Sequence, residues 1–108
     1  MHLYITDTVP NRTTEHLARA LNLDLIQPVK AAIPGVREVQ GPVRGNGPRG
    51  KSAGLCQFDW MTVDGQVIKA DHDHLPESEE AHRVASHFLA TCLEQGIGEI
   101  LSAYPDAP

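Results

Sequence analysis

The stretch Leu55-Cys56-Gln57-Phe58-Asp59-Trp60-Met61-Thr62-Val63-Asp64-Gly65-Gln66-Val67-Ile68-Lys69-Ala70-Asp71-His72 decides how this chain folds. Two runs that favour strands, 55–62 and 66–72, flank Val63-Asp64-Gly65, a hairpin signal. A two-residue Asp64-Gly65 turn sets Trp60 opposite Lys69 and Phe58 opposite Asp71, mixing apolar with charged. A three-residue turn with Gly65 left-handed sets Trp60 opposite Ile68, Phe58 opposite Ala70 and Cys56 opposite His72. It also pairs Asp59 with Lys69 and Met61 with Val67 on the other face. Because that register makes one face apolar and matches charges, it is the expected one.

Working outward, residues 2–6 alternate as a strand does, with Leu3 and Ile5 on one face. Leu17, Leu21 and Leu25 recur at helical spacing, which predicts a helix over 13–22 with Thr13 as N-cap. Pro28 interrupts that pattern and opens a second short helix over 28–33. Residues 36–43 form a further strand. After Pro76, Ala81, Val84, Ala85, Phe88, Leu89, Cys92 and Leu93 keep the i, i+3, i+4 rule, and Glu77, Glu79 and Glu80 suit the dipole of a helix start. Gly96 and Gly98 end that helix, Ile97, Ile100 and Leu101 form a short continuation, and 102–108 is a frayed tail.

The resulting order, β-α-(α)-β-β-β-α, predicts one α+β domain over 1–101. Its helices pack on one face of a small, mostly antiparallel sheet, in a ferredoxin-like or dimeric α+β-barrel-like arrangement. Tautomerases share the order but use an N-terminal proline as base, and position 2 here is His2. The motifs assign no family, and topology does not carry function.

Length and composition bound the rest. The chain has 108 residues, the size of one domain; 41% are hydrophobic and 21% charged, which fits a globular protein. No apolar run reaches the ~20 residues that span a bilayer, and the N-terminus lacks the pattern of a secretory signal. Cys56 and Cys92 lie in apolar stretches and are expected as reduced, buried thiols in a cytoplasmic protein. The net charge is −5, which argues against nucleic-acid binding through general basicity. The charge is unevenly spread. Residues 37–51 carry Arg37, Arg44, Arg49 and Lys51 against Glu38, a balance of +3 that leaves −8 for the remainder.

Three features could carry chemistry. The loop 41–54 holds five glycines and two prolines, and within it residues 45–52 match the G-x-x-x-x-G-K-[ST] phosphate loop. That motif needs a helix after it to offer N-terminal amides to phosphate. Residues 53–58 read as strand instead and Pro48 removes an amide, so nucleotide binding is not expected; Arg44, Arg49 and Lys51 are the candidates for an anion or an acidic partner. The second feature runs from Asp71 to His82, with five carboxylates and three imidazoles; His72 and His74 would share a strand face as candidate metal ligands, although no recognised zinc spacing is present. Third, Cys56 and His72 would be cross-strand neighbours and a candidate nucleophile–base pair, but Asp71, the group that could orient the base, would point to the other face. His82 and His87 are expected on the surface.

The leading expectation is therefore a non-catalytic binding or regulatory module, with a protein partner or a second copy of itself on the 41–54 loop and no cofactor. The alternative is a small enzyme or ligand-binding protein whose pocket holds Cys56, Phe58, Trp60 and His72, with His72 or His74 as acid–base group. A third option presents the 71–80 carboxylates to a basic partner.

Overall fold

A computed structural model describes residues 2–4, 11–71 and 73–104. The chain is a small α+β domain in which four short strands form a parallel sheet. These are β1 (His2–Tyr4), β2 (Leu25–Ile26), β3 (Glu38–Val39) and β5 (Leu55–Phe58), in spatial order β1-β5-β2-β3. Every pairing in that sheet is parallel: Leu3 lies beside Gln57, Ile26 beside Cys56 and Ile26 beside Val39. The remaining strands make two antiparallel pairs. β4 (Val43–Arg44) joins β8 (Glu99–Ile100), and β6 (Trp60–Val63) joins β7 (Gln66–Lys69).

Burial shows why the central strands pair in parallel. Leu55, Cys56, Gln57 and Phe58 are all buried, as are Leu25 and Ile26. A strand covered on both faces needs apolar side chains at successive positions, and parallel sheets are covered that way. Leu25 and Leu55 pack with Ala18 of α1 (Asn11–Ala20) and with Ile33. Ile26, Cys56 and Phe58 face the other way, into a core with Val43, Met61, Val63, Ala81 and Val84. Helix α2 (Glu79–Gln95) supplies the last two. The helices therefore cover opposite faces of the sheet, not one face as the sequence pattern suggests, and the sheet is parallel where an antiparallel one is expected. The α+β class holds, and the strand order among the described residues differs from the expected one.

The hairpin forms, but in the other register. Asp64 (φ 51°) and Gly65 (φ 77°) make a two-residue turn with both residues left-handed, the geometry whose twist matches a hairpin. Trp60 accordingly faces Lys69, and Met61 faces Ile68. Strand β5 ends at Phe58, and the chain bends at Asp59 before β6 begins, so Phe58 and Trp60 belong to different sheets. Trp60 is 37% exposed while Met61 is fully buried. The rule that placed both aromatics inward assumed one continuous strand.

Helix α2 matches its sequence signals. The Ser78 hydroxyl accepts from the Ala81 amide at 3.1 Å, and Gly96 closes the helix in the left-handed region with its amide bonded to Cys92 O. Its apolar face is narrower than the sequence suggests: Leu89 is 61% and Leu93 89% exposed. Thr91 is buried, donates to His87 O at 2.9 Å and accepts from the Glu99 amide at 2.8 Å, which ties β8 to the helix.

Other expectations change. No helix forms over 28–33; that segment is irregular and is held by Gln57, whose side chain accepts from the Lys30 and Ala31 amides and donates to Ala31 O. α1 begins at Asn11, so Thr13 lies inside it. The stretch after Gly98 is a strand. Ala103 and Tyr104 are 2% and 4% exposed, so the fraying expected from residue 102 does not apply to them. No helix among the described residues is long and apolar enough to cross a membrane.

Candidate functional site

The basic loop is built from turns that only some residues make easily. Gly45 (φ 65°), Arg49 (φ 61°) and Gly50 (φ 74°) take left-handed conformations, and Pro48–Gly50 forms one 3-10 turn. Side chains then fix the loop to the body. Asn46 Nδ2 donates to Ala53 O and to Asp24 Oδ2, both at 2.8 Å, and Asn46 Oδ1 accepts from the Ala53 amide at 3.1 Å. The Ser52 hydroxyl accepts from the Gly45 amide at 3.1 Å and donates to Gly98 O. Two of the candidate residues flank these anchors directly, Arg44 before Gly45 and Lys51 before Ser52.

Asp24 is the buried end of that anchorage. Its carboxylate also accepts from Arg37 Nε at 3.1 Å and Arg37 Nη2 at 2.8 Å. The Arg37 guanidinium holds the Asp24 carboxyl below the usual carboxylate range; burial opposes this and the Asn46 amide reinforces it. Sequence reasoning missed Asp24 and Asn46. A polar Asp between Leu23 and Leu25 is the one local sign that a strand start needed a carboxylate.

What the loop presents is side-chain charge. Arg44, Arg49 and Lys51 are exposed and belong to none of the ion pairs among the described residues. Three of its backbone amides are engaged within the loop. The Gly45 amide is bonded to Ser52, the Gly47 amide to Lys51 O at 2.6 Å and the Lys51 amide to Pro48 O at 3.2 Å. Strand β5 follows the loop in place of the helix that a phosphate loop requires.

The other candidates are dispersed. Cys56 sits on β5, with His2 of β1 and Ile26 of β2 as its register partners. Burial pushes the Cys56 thiol up to about 11, and it stays protonated near neutrality. His72 lies outside the described residues, and so does every expectation placed on it. His74 is in a turn, not on a strand. Its Nδ1 hydrogen-bonds Asp71 at 2.8 Å, and its pKa is raised first by that bond and then by the Asp71 charge. Among the described residues no group of three or more His, Cys, Asp or Glu side chains is placed to hold a metal ion. Two members of the acidic stretch serve the fold: Asp71 caps the turn by accepting from the His74 amide at 2.7 Å, and Glu80 accepts from the Thr62 amide at 2.6 Å and the Thr62 hydroxyl at 2.8 Å. His82 is exposed, while His87 is half-buried and bonded to Glu99 at 2.8 Å.

Trp60 belongs to a surface cluster rather than a pocket with Cys56. Its ring stacks on Tyr104 with centroids 4.5 Å apart, and the Tyr104 hydroxyl donates to Trp60 O. Burial pushes the Tyr104 phenol up to about 12. Lys30 Nζ lies 4.7 Å from the Tyr104 ring centre and 3.4 Å from Asp59 Oδ1, a buried oxygen with no hydrogen bond among the described residues. Comparison with known proteins finds no family model, no curated protein and no solved structure that matches this chain.

Proposed function

We propose that this domain is a binding module that holds an acidic partner through the 41–54 loop. The observation that carries this is a loop fixed at both ends by Asn46 and Ser52 while Arg44, Arg49 and Lys51 stand exposed and outside every ion pair among the described residues. A loop already held in one conformation loses little entropy when a partner arrives, and three cations on it supply attraction to carboxylates or phosphates. The acidic remainder of the chain, at −8, confines that attraction to one patch and sets the partner's orientation. The enzyme reading draws less support, since the Cys56 thiol is buried and protonated. The acidic-face reading draws less too, since Asp71 and Glu80 are engaged within the fold.

The test is the triple variant R44A/R49A/K51A. All three side chains are exposed and make no hydrogen bond or ion pair among the described residues, so thermal stability is expected to stay within about 0.5 kcal/mol of the parent. Binding to a fluorescent poly-glutamate peptide at low salt should fall at least tenfold in the variant, and binding by the parent should weaken as salt is raised. Equal affinity of parent and variant would rule the proposal out, as would tighter binding to duplex DNA than to the acidic peptide.

A further inference from the structure

Beyond the ends of β2 and β3 the sheet opens into a cleft of about 500 Å³, within the range of small-molecule sites. Gln27 follows the last residue of β2 and Gln40 the last of β3, so both stand at the carboxyl ends of adjacent parallel strands. Ligands of open α/β sheets bind in that position. The floor closes tightly: a Cβ added at Gly41 would come within 2.5 Å of Ser102 Oγ, so glycine lets the two segments meet there. Arg83 of α2 and Tyr104 complete the lining, and Glu38 is its one carboxylate.

Arg83 is the unusual member. Its Nη2 donates to Ser102 O and, at 3.0 Å, to Ala103 O, which fixes the guanidinium against the chain after β8. Its Nε and Nη1 make no hydrogen bond among the described residues, and no carboxylate there lies within ion-pair distance of it. A half-buried cation held in place without a counter-ion carries a desolvation cost that an anion in the cleft would offset. The side-chain amide groups of Gln27 and Gln40 are likewise without hydrogen bonds among the described residues. Each offers donors and an acceptor beside the cation.

We infer that this cleft binds a small organic carboxylate carrying hydrogen-bonding groups, with Arg83 taking the carboxylate and Gln27 and Gln40 taking the polar body. The lining limits the charge of the ligand. Arg83 and Glu38 together cancel, so a dianion meets more repulsion from Glu38 than a monocarboxylate does, and a zwitterion gains a partner for its ammonium group. Acetate and glycine are therefore suitable probes, and inorganic phosphate is the contrasting one. The site is separate from the basic loop, and neither proposal depends on the other.

The experiment is a two-dimensional NMR titration of the full chain with each probe. Glycine and acetate should give saturable shifts of the backbone amides at 27, 40, 41 and 102, with Kd on the order of 1 mM as suits so few contact atoms. Phosphate should bind there at least fivefold more weakly. Because Arg83 also supports Ser102 and Ala103, R83K alone does not separate binding from folding. The double variant Q27A/Q40A does, since both side chains are exposed and unbonded among the described residues. It should weaken glycine binding about tenfold with the parent's spectrum otherwise kept. Shifts that do not saturate, that cluster at 44–51 instead, that are as strong with phosphate, or that persist unchanged in Q27A/Q40A would each overturn the inference.

Discussion

The His74 ring hydrogen-bonds the Asp71 carboxylate at 2.8 Å from an exposed turn. A carboxylate beside an imidazole favours the charged ring, so the folded pKa of His74 lies above the ordinary value of about 6.5. The folded state thus binds this proton more tightly than the unfolded chain does. Its contribution to stability is present below the ordinary histidine pKa and fades as pH rises through the folded value. An NMR titration of the ring should show a midpoint above 6.5 in the parent and a lower one in Asp71→Asn; equal midpoints would show that Asp71 does not set it. Individual residues were legible in sequence where their neighbours decide their fate. Cys56, between Leu55 and the Gln57–Phe58 pair, is buried as its surroundings imply. His74 was not, because its place on a strand face depended on a hairpin that ends earlier, at Lys69.

At the scale of elements, α2 was readable because its signals are local: acidic residues in the first turn, an apolar repeat and a glycine stop; its serine cap emerges only in the structure. Ser78 is fully buried and its hydroxyl accepts from the Ala81 amide at 3.1 Å. Ser78→Ala should therefore cost about 1–2 kcal/mol, read as a lower midpoint in urea with the slope unchanged. A loss under about 0.3 kcal/mol would show that another group caps the helix. The hairpin was half readable. Its turn residues are local, but its register is not: an apolar face with matched charges favours the three-residue turn, whereas Trp60 stacks on Tyr104, from a distant part of the sequence. Strands β2, β3, β4 and β8 are two residues each, too short for a period of two to show. For β5 the signal was present in a different form: Leu55, Cys56, Gln57 and Phe58 have no polar-out alternation, which marks a strand covered on both faces.

The parallel sheet as a whole was not legible, because each of its pairings joins segments far apart in sequence and nothing local announces which strand lies between which others. The basic loop illustrates the consequence for the candidate site: its charges were readable as a run, while the contact that fixes it to the body comes from Asp24, at the start of a strand more than twenty residues earlier. That contact makes a prediction about the entire molecule. The Asp24 carboxyl is held below the ordinary value of about 3.9, chiefly by the hydrogen bonds from Arg37. A depressed carboxyl pKa gives stability that is present above the ordinary value and is lost as pH falls through the folded one. Asp24→Asn removes the charge and keeps the size, so it should lower the unfolding free energy by about 1–2 kcal/mol at neutral pH, with exposure of Arg37 keeping the figure modest. The gap between variant and parent should shrink below pH 4, where the parent's own carboxyl takes up its proton. Hydrogen exchange then locates the effect. The Ala53 amide, bonded to Asn46 Oδ1, should exchange faster in the variant, while the Ala81 amide under the Ser78 cap should keep its rate relative to global unfolding. A variant whose stability runs parallel to the parent's from pH 3 to 7 would mean that Asp24 holds the loop by shape alone, and that its charge does not couple the loop to the sheet.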